Sequence, residues 1–502
     1  MDGGEITAAG TVQDDVNGGL MLDKPVFSII LLDEISAIPA KGESLADSPF
    51  CFHRTCLDYC ILHRLKPVMI LLESVWNRIQ LPEFSRVEQD ITTDVLIVGG
   101  GMAGVLTAYM LERAGVDYLL IEADRIGGGI SANTTAKITS QHGLIYGQLI
   151  DRFDVDKARM YWEANEQARK QFQKFAQFID CDFEVKDNYI YSRNAPSKLE
   201  KELAALERIR VPAQFVKQLP LPFSTVGAVR FPDQAQFHPL KFLAEISRGL
   251  RIYERTAARA FHGNTVITDG GKIYASKVIV ATHFPMLNKH GGYFLKMYQD
   301  RSYAVAVDRA QNMNGMYLDE SEQGLSFRNY GDLLVIGGGG HRTGKQGSAW
   351  SELDAFARRY YPKSRVKYRW AAQDCMTLDG IPYIGQYGRR TPDLYVATGF
   401  NKWGMTSSMV AAMILRDLVQ EKENPYASVF SPARTILRPQ LLVNSFEATV
   451  NLLTPTVPRC PHLGCALKWN AQEHTWDCPC HGSRFGKNGQ LLDNPATGDL
   501  KK

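Results

Sequence analysis

The sequence predicts a chain of α/β plus α+β class: a cofactor-binding domain with an inserted antiparallel-sheet domain, then a small all-β subdomain at the C terminus. Three observations predict it. A β-branched apolar run, Asp94 to Val98, is followed by Gly99, Gly101 and Gly104 and then by helical periodicity from Val105 to Ala114. Near the other end, Leu394 to Thr398, Gly399 and the apolar stretch Ser407 to Leu418 repeat the order of strand, glycine turn and helix. Between Cys460 and His481 stand two Cys/His pairs, Cys460-Pro-His462 and Cys478-Pro-Cys480-His481. A length of 502 residues fits roughly two to four domains.

The first 73 residues belong to no recognisable module and are expected to be poorly ordered or not native, with Met69 as the authentic start. Cys51, His53, Cys56, Cys60 and His63 echo the later pairs, but only six residues separate His53 from Cys60. That is too short for two loops with strands between them, so unpaired thiols are expected there rather than a metal site. The first 34 residues hold seven carboxylates and one lysine, the opposite of a signal peptide's basic start. Pro25 to Leu32 is the best apolar run and is too short to cross a bilayer. The expectation is a cytoplasmic protein with no transmembrane segment. A net charge of +3 over the chain offers no basic stripe for nucleic acid.

Asp94-Val-Leu-Ile-Val98 is apolar as a strand buried on both faces must be. The glycines after it let the backbone approach a pyrophosphate, and the following helix N-terminus attracts its charge. Gly115 stops that helix, Tyr118 to Ile121 makes a second strand, and Glu122 at its end can hold a ribose diol. This is a Rossmann-like site that leaves FAD and NAD both open. Arg125 to Lys137, with Gly128, Gly129, Ser131, Thr134 and Thr135, is a second small-residue loop suited to an extended cofactor. Asp154 to Phe178, Ser197 to Ile209 and Trp350 to Tyr360 read as helices. Asp269-Gly-Gly271 reads as a hairpin turn, and Ser302 to Val307 and Asn314 to Gly340 as strands. Gly337 to Gly340 imitates a second dinucleotide loop, but Arg342 and Thr343 stand where a closing glycine is needed. It is read as strand and turn of the inserted domain, which leaves no dedicated NAD(P)H site. Glu421 to Pro458, with several prolines, reads as a linker.

The three glycine-rich blocks in this order resemble the FAD-dependent oxidoreductases of the D-amino-acid oxidase and glycine oxidase type, from about Ser74 to Val419. Val278 to Thr282 and Asp379-Gly380-Ile-Pro382 resemble further blocks of that family. The resemblance implies FAD contacts at Gly99, Gly101, Met102, Ala103, Gly104, Glu122, Gly128, Gly129, Ser131, Thr134, Thr135, Gly399, Gly404, Met405 and Thr406. It divides the chain into an oxidoreductase at 74–425 and a linker at 426–457. FAD-binding parts fall near 90–150, 245–290 and 370–420, and substrate-domain parts near 155–245 and 290–370.

Two thiolates and two imidazoles on separate loops suit a [2Fe–2S] centre in which one iron takes two Cys and the other two His. Tetrahedral zinc also accepts such a set, although zinc motifs rarely carry two further cysteines so placed. The segment from Arg459 to Asp499 resembles the Rieske ferredoxin domain. That resemblance makes Cys460, His462, Cys478 and His481 the cluster ligands, pairs Cys465 with Cys480 in a disulfide, and places the module at 458–502. Pro461 replaces the hydroxyl residue often found inside the first pair. Against that resemblance, the base of several strands that a full Rieske domain places before its first loop is expected to be cut down, so another element must cover its underside.

The expected function follows from joining the two cofactors. A small amine or amino-acid-like substrate reduces the flavin, and electrons leave singly through the cluster to an external one-electron acceptor. The alternatives are an oxygen-using oxidase with a structural cluster and a relay that oxidises no substrate. Candidate pocket residues are His341 and Arg342 in the glycine-rich turn and Lys402 and Trp403 beside the C-terminal flavin loop. Arg342 could pair with a substrate carboxylate. His142 and His283 are expected to be hydrogen-bonded structural histidines.

Overall fold

A computed structural model of the chain describes residues 72–288, 290–321, 324–435, 437–455 and 458–500. The N-terminal cysteines and histidines and the expected start at Met69 lie outside the described residues. The described strands form sheets of eight, nine and four strands, in agreement with the expected fold class.

β1 (Ile91–Val98) leads through the glycine turn into α1 (Met102–Arg113), and β2 (Tyr118–Ile121) returns parallel beside β1. α2 (Val155–Phe175) is started by Asp154, whose side chain accepts from the Lys157 amide. β3 (Lys272–Val280) lies parallel to β1 on its other side, entered by the expected Asp269-Gly-Gly271 turn. β4 (Met297–Val307), β5 (Leu333–Arg342) and β6 (Val366–Thr377) belong to the nine-stranded sheet, with β4 antiparallel to both of the others. β7 (Leu394–Thr398) brings the chain back beside β3, and α3 (Gly404–Val419) follows. Val105, Leu106 and Leu111 of α1 share one core with Met409, Val410 and Ile414 of α3. Each such buried side chain contributes about 1.5–3 kcal/mol. That common core holds the N-termini of two cofactor helices in fixed relation.

Three expectations need correction. The stretch read as a linker at 426–457 contains α4 (Pro439–Leu453). Pro439 occupies the first helical turn, where a missing N–H costs nothing, and so starts the helix instead of breaking it. α4 is also inside-out. Asn444 and Asn451 are buried, whereas Leu442, Phe446 and Leu453 are exposed, which hides the inward apolar pattern normally used to find a helix. Second, Gly337 to Gly340 make no turn, because β5 continues to Arg342 through a bulge at Gly339, where its register with β4 shifts. Third, β6 carries the substrate sheet past the expected boundary near residue 370, to Thr377.

α4 is also what completes the shortened module. Ala448 packs on the core formed by Cys460, Cys465, Cys478, Cys480 and Phe485, and the Ala466 amide donates to the Asn451 carbonyl at 2.9 Å. Among the described residues, no helix is long and apolar enough to cross a membrane.

Candidate functional site

The glycine turn fits a pyrophosphate for steric reasons. A Cβ at Gly104 would lie 1.8 Å from the Gly99 carbonyl oxygen, so only glycine lets α1 start this close to the strand it follows. Ser131 Oγ accepts from the Met102 amide at 2.9 Å and ties the second loop to the first. Glu122 accepts from the Gly100 amide at 2.6 Å and from the Asp124 amide at 3.0 Å, holding its carboxylate at the end of β2. Neither α1 nor α3 has a side-chain cap or an acidic residue in its first turn, which leaves both N-termini suited to anionic groups. Met102 and Ala103 are buried in the first turn of α1, whereas Gly128 and Gly129 are exposed.

Next to this turn lies a cavity of about 620 Å³, whose lining includes Thr134, Thr135, Gly404 and Met405. Its shape is fixed from behind. Trp76 Nε1 donates to the Thr134 carbonyl at 2.7 Å, and the buried Arg328 donates to the Thr135 and Ala136 carbonyls at 2.8 and 2.9 Å. Thr406 donates to the Thr139 carbonyl at 3.1 Å. His142 is bonded at both ring nitrogens, to the Tyr161 hydroxyl (2.7 Å) and the Thr139 carbonyl (2.9 Å), and stacks on Trp403. It is the hydrogen-bonded histidine expected. The half-buried His283 also meets that expectation through a hydrogen bond with the Gln373 backbone, although its Nε2 has no hydrogen-bond partner among the described residues.

The cavity also holds a charged group that sequence reasoning missed. Asp300 on β4 and Asp374 on β6 are cross-strand partners, both line the cavity, and Lys402 pairs with Asp300 at 3.0 Å. Desolvation, with Asp300 beside it, pushes the Asp374 carboxyl up to about 6 against the pull of Lys402. Neither His341 nor Arg342 is among the lining residues, which corrects the placement expected for them. Arg342 is the cross-strand partner of Asp300 and lies over the ring of the cavity-lining Tyr298 at 4.8 Å, but its guanidinium is engaged at the end of the sheet, where it donates to the Pro479 carbonyl (3.2 Å) and to Asn444 (2.9 Å). His341 meets the Tyr303 hydroxyl at 3.0 Å.

The cysteine and histidine pairs converge. Cys460 and Cys478 are buried free thiols in contact with each other, and Cys465 and Cys480 form a disulfide. The rings of His462 and His481 lie 4.9 Å apart. Nδ1 of each ring is buried with no hydrogen-bond partner, a costly arrangement unless a metal takes it. A hydrogen bond from Cys478 holds the Cys460 thiol down to about 7. Burial pushes His462 down to about 4 and His481 down to about 3, so both rings are neutral as metal ligation requires. The donor set fits the cluster. Ser483 adds a hydrogen bond to Cys460. It follows directly after the ligand motif, and that position was the signal available for it.

The module sits on the back of the cavity wall. Along β4, Tyr298, Asp300 and Ser302 line the cavity, whereas Gln299 donates to the His481 carbonyl at 2.7 Å and Arg301 pairs with Glu473. β6 repeats the alternation: Ala372, Asp374 and Met376 line the cavity, and Gln373 donates to the Gly482 carbonyl at 2.8 Å. Burial opposes ionisation of Glu473, but Arg301 and Arg484 hold its carboxyl down to about 2. Gly482, at φ +85, presses on Gln299, where a Cβ would meet the Gln299 Cβ at 2.6 Å. Cavity and module are separated by one sheet.

Fold and site define an oxidoreductase with a dinucleotide cofactor and an attached iron–sulfur module. The chain belongs to the DAO family of FAD-dependent oxidoreductases, which its residues 94–418 match, and its residues 449–502 match the Rieske [2Fe-2S] domain. FAD and a [2Fe–2S] cluster are therefore its cofactors. It is 36% identical over 495 residues to YhfW of Bacillus subtilis (strain 168), whose name describes a Rieske 2Fe-2S iron-sulfur protein; the match covers 86% of this chain and 97% of that one. It is 24% identical to gamma-glutamylputrescine oxidoreductase of Escherichia coli (strain K12), over 67% of this chain and 86% of that one. The fold is similar to that of glycine oxidase from Geobacillus kaustophilus, with a TM-score of 0.59 and 19% identity, covering 69% of this chain and 99% of that one.

Proposed function

We propose that this oxidoreductase takes a small amine or amino-acid-like substrate into the cavity, oxidises its C–N bond, and passes the electrons singly through the Rieske module to an external one-electron acceptor. The observation that carries this reading is the alternation on β4 and β6. The same strands line the cavity with Asp300 and Asp374 and hold the cluster loop with Gln299 and Gln373. An electron leaving the cavity has one sheet to cross.

Bound flavin supplies a two-electron acceptor and bound cluster a one-electron carrier. The protein's own residues orient the substrate. The Asp300–Asp374 pair offers negative charge to an ammonium group, with Lys402 neutralising one carboxylate. One C–H and one N–H bond are lost as the imine forms, and water hydrolyses the imine. Two protons are released, and two equivalents of the external acceptor are reduced. The names of the E. coli and Geobacillus relatives support a substrate of this class.

Anaerobic mixing with a panel of amines and amino acids tests the reading, with flavin bleaching and cluster EPR followed together. Substrate that bleaches the flavin while the cluster stays oxidised through turnover would overturn electron passage through the module. Asp374 gives a second test. An ammonium partner must be ionised, and its carboxyl is held up at about 6. So kcat/KM should be flat above that pH and fall by about tenfold per unit below it. Asp374→Asn should remove that limb and lower kcat/KM by about 100-fold, since loss of a desolvated charge partner costs about 2–5 kcal/mol.

A further inference from the structure

The imidazole edge of the Rieske module faces into the oxidoreductase body. His462 Nε2 lies 2.9 Å from Asn288 Oδ1. Asn288 belongs to the loop after β3, 174 residues away in sequence. His481 meets the Phe294 backbone, and its ring packs edge-on against Phe284 and Phe294 at 6.3 and 6.2 Å. Asn494 of the module donates to the Thr282 carbonyl at 2.6 Å and so fastens the same edge from the module's side. Because Nδ1 is the buried, unpartnered nitrogen on both rings, Nδ1 points to the metal and Nε2 to the body. The second nitrogen of a metal-bound imidazole carries a proton, and its partner sets both ring orientation and ligand basicity.

We propose that this edge is an internal docking edge. Asn288 acts as a positioning residue: it accepts the His462 Nε2–H bond, tunes the cluster through it, and closes the edge to outside partners. An external one-electron acceptor then has to reach the module over another face. The inference rests on the reading that the cluster receives electrons from the cavity, but its test needs no substrate.

The test uses holoprotein reduced with dithionite, observed by EPR and potentiometric titration. Asn288→Leu leaves the Nε2–H without an acceptor and weakens donation to the metal, so the midpoint potential should rise. Asn288→Asp offers a charged acceptor, strengthens donation, and should lower it. The EPR g-values should shift in both variants. Damage to the fold would not move the potential in opposite directions. Wild-type potential and g-values in both variants would overturn the proposal. A measurement on the wild type stands even where a variant loses its cluster. After dilution into D₂O, deuterium modulation from the His462 proton site in pulsed EPR should take at least about tenfold longer to grow in than mixing takes, as for a half-buried proton held in a hydrogen bond. Exchange complete on mixing would overturn the sealed edge. If the potentials shift as stated and no amine bleaches the flavin, the proposed function falls and this inference stands. The reverse result removes only this inference.

Discussion

Cys460→Ser is expected to yield protein that keeps its flavin and loses acid-labile sulfide and the Rieske EPR signal. Cys460 is buried against Cys478 and receives hydrogen bonds from Cys478 and Ser483, an environment built to hold a thiolate. A serine hydroxyl has a far higher pKa and is a harder donor, a poor match for iron that is bridged by sulfide. The module should stay folded, because the Cys465–Cys480 disulfide and the Arg484 ion pairs with Glu473, Asp477 and Asp493 do not involve Cys460. Substrate should still bleach the flavin. Delivery to a one-electron acceptor such as ferricyanide should fall by at least about 100-fold, which is about 2.7 kcal/mol in barrier. Undiminished delivery would show that electrons leave the flavin by another route.

Gly104→Ala should have the largest effect on the other cofactor. The new methyl would stand 1.8 Å from the Gly99 carbonyl oxygen. That oxygen is backbone and cannot rotate away, so α1 has to back off from β1. The displaced helix no longer aims its N-terminus at the pyrophosphate. Overpacking of this kind costs about 1–3 kcal/mol in stability. The loss of flavin should be greater than that cost implies, because the turn is the binding site. Purified variant is expected to show less than about a tenth of wild-type 450 nm absorbance per chain, with a lowered Tm. Stoichiometric flavin in the variant would mean that the turn yields without moving the helix.

What could be read from the sequence was whatever lies close together in the chain. The cluster ligands sit within two short motifs and the pyrophosphate turn within six residues, Gly99 to Gly104, so spacing alone revealed their chemistry. Asp300 and Asp374, or Gln299 and Gln373, become neighbours only through the pairing of β4 with β6, and nothing in either segment announces a partner over 70 residues away. Arg342 was misplaced because a run of glycines suggests a turn. The strand instead continues to its end, where Arg342 lies across from Asp300 and its guanidinium is engaged by the Pro479 carbonyl and Asn444. α4 escaped notice because its asparagines face inward, toward Arg342 and the cluster loop, and its leucines outward. That pattern suits a helix substituting for a missing sheet.

The press of Gly482 on Gln299 has a kinetic consequence. A carrier that swings on a tether spends its cycle diffusing between stations, and its throughput drops as the medium thickens. A carrier bolted to the wall it serves has no journey to make. Turnover at saturating substrate should therefore stay level in glycerol of rising viscosity. An inverse dependence would reveal that the bolt opens in every cycle.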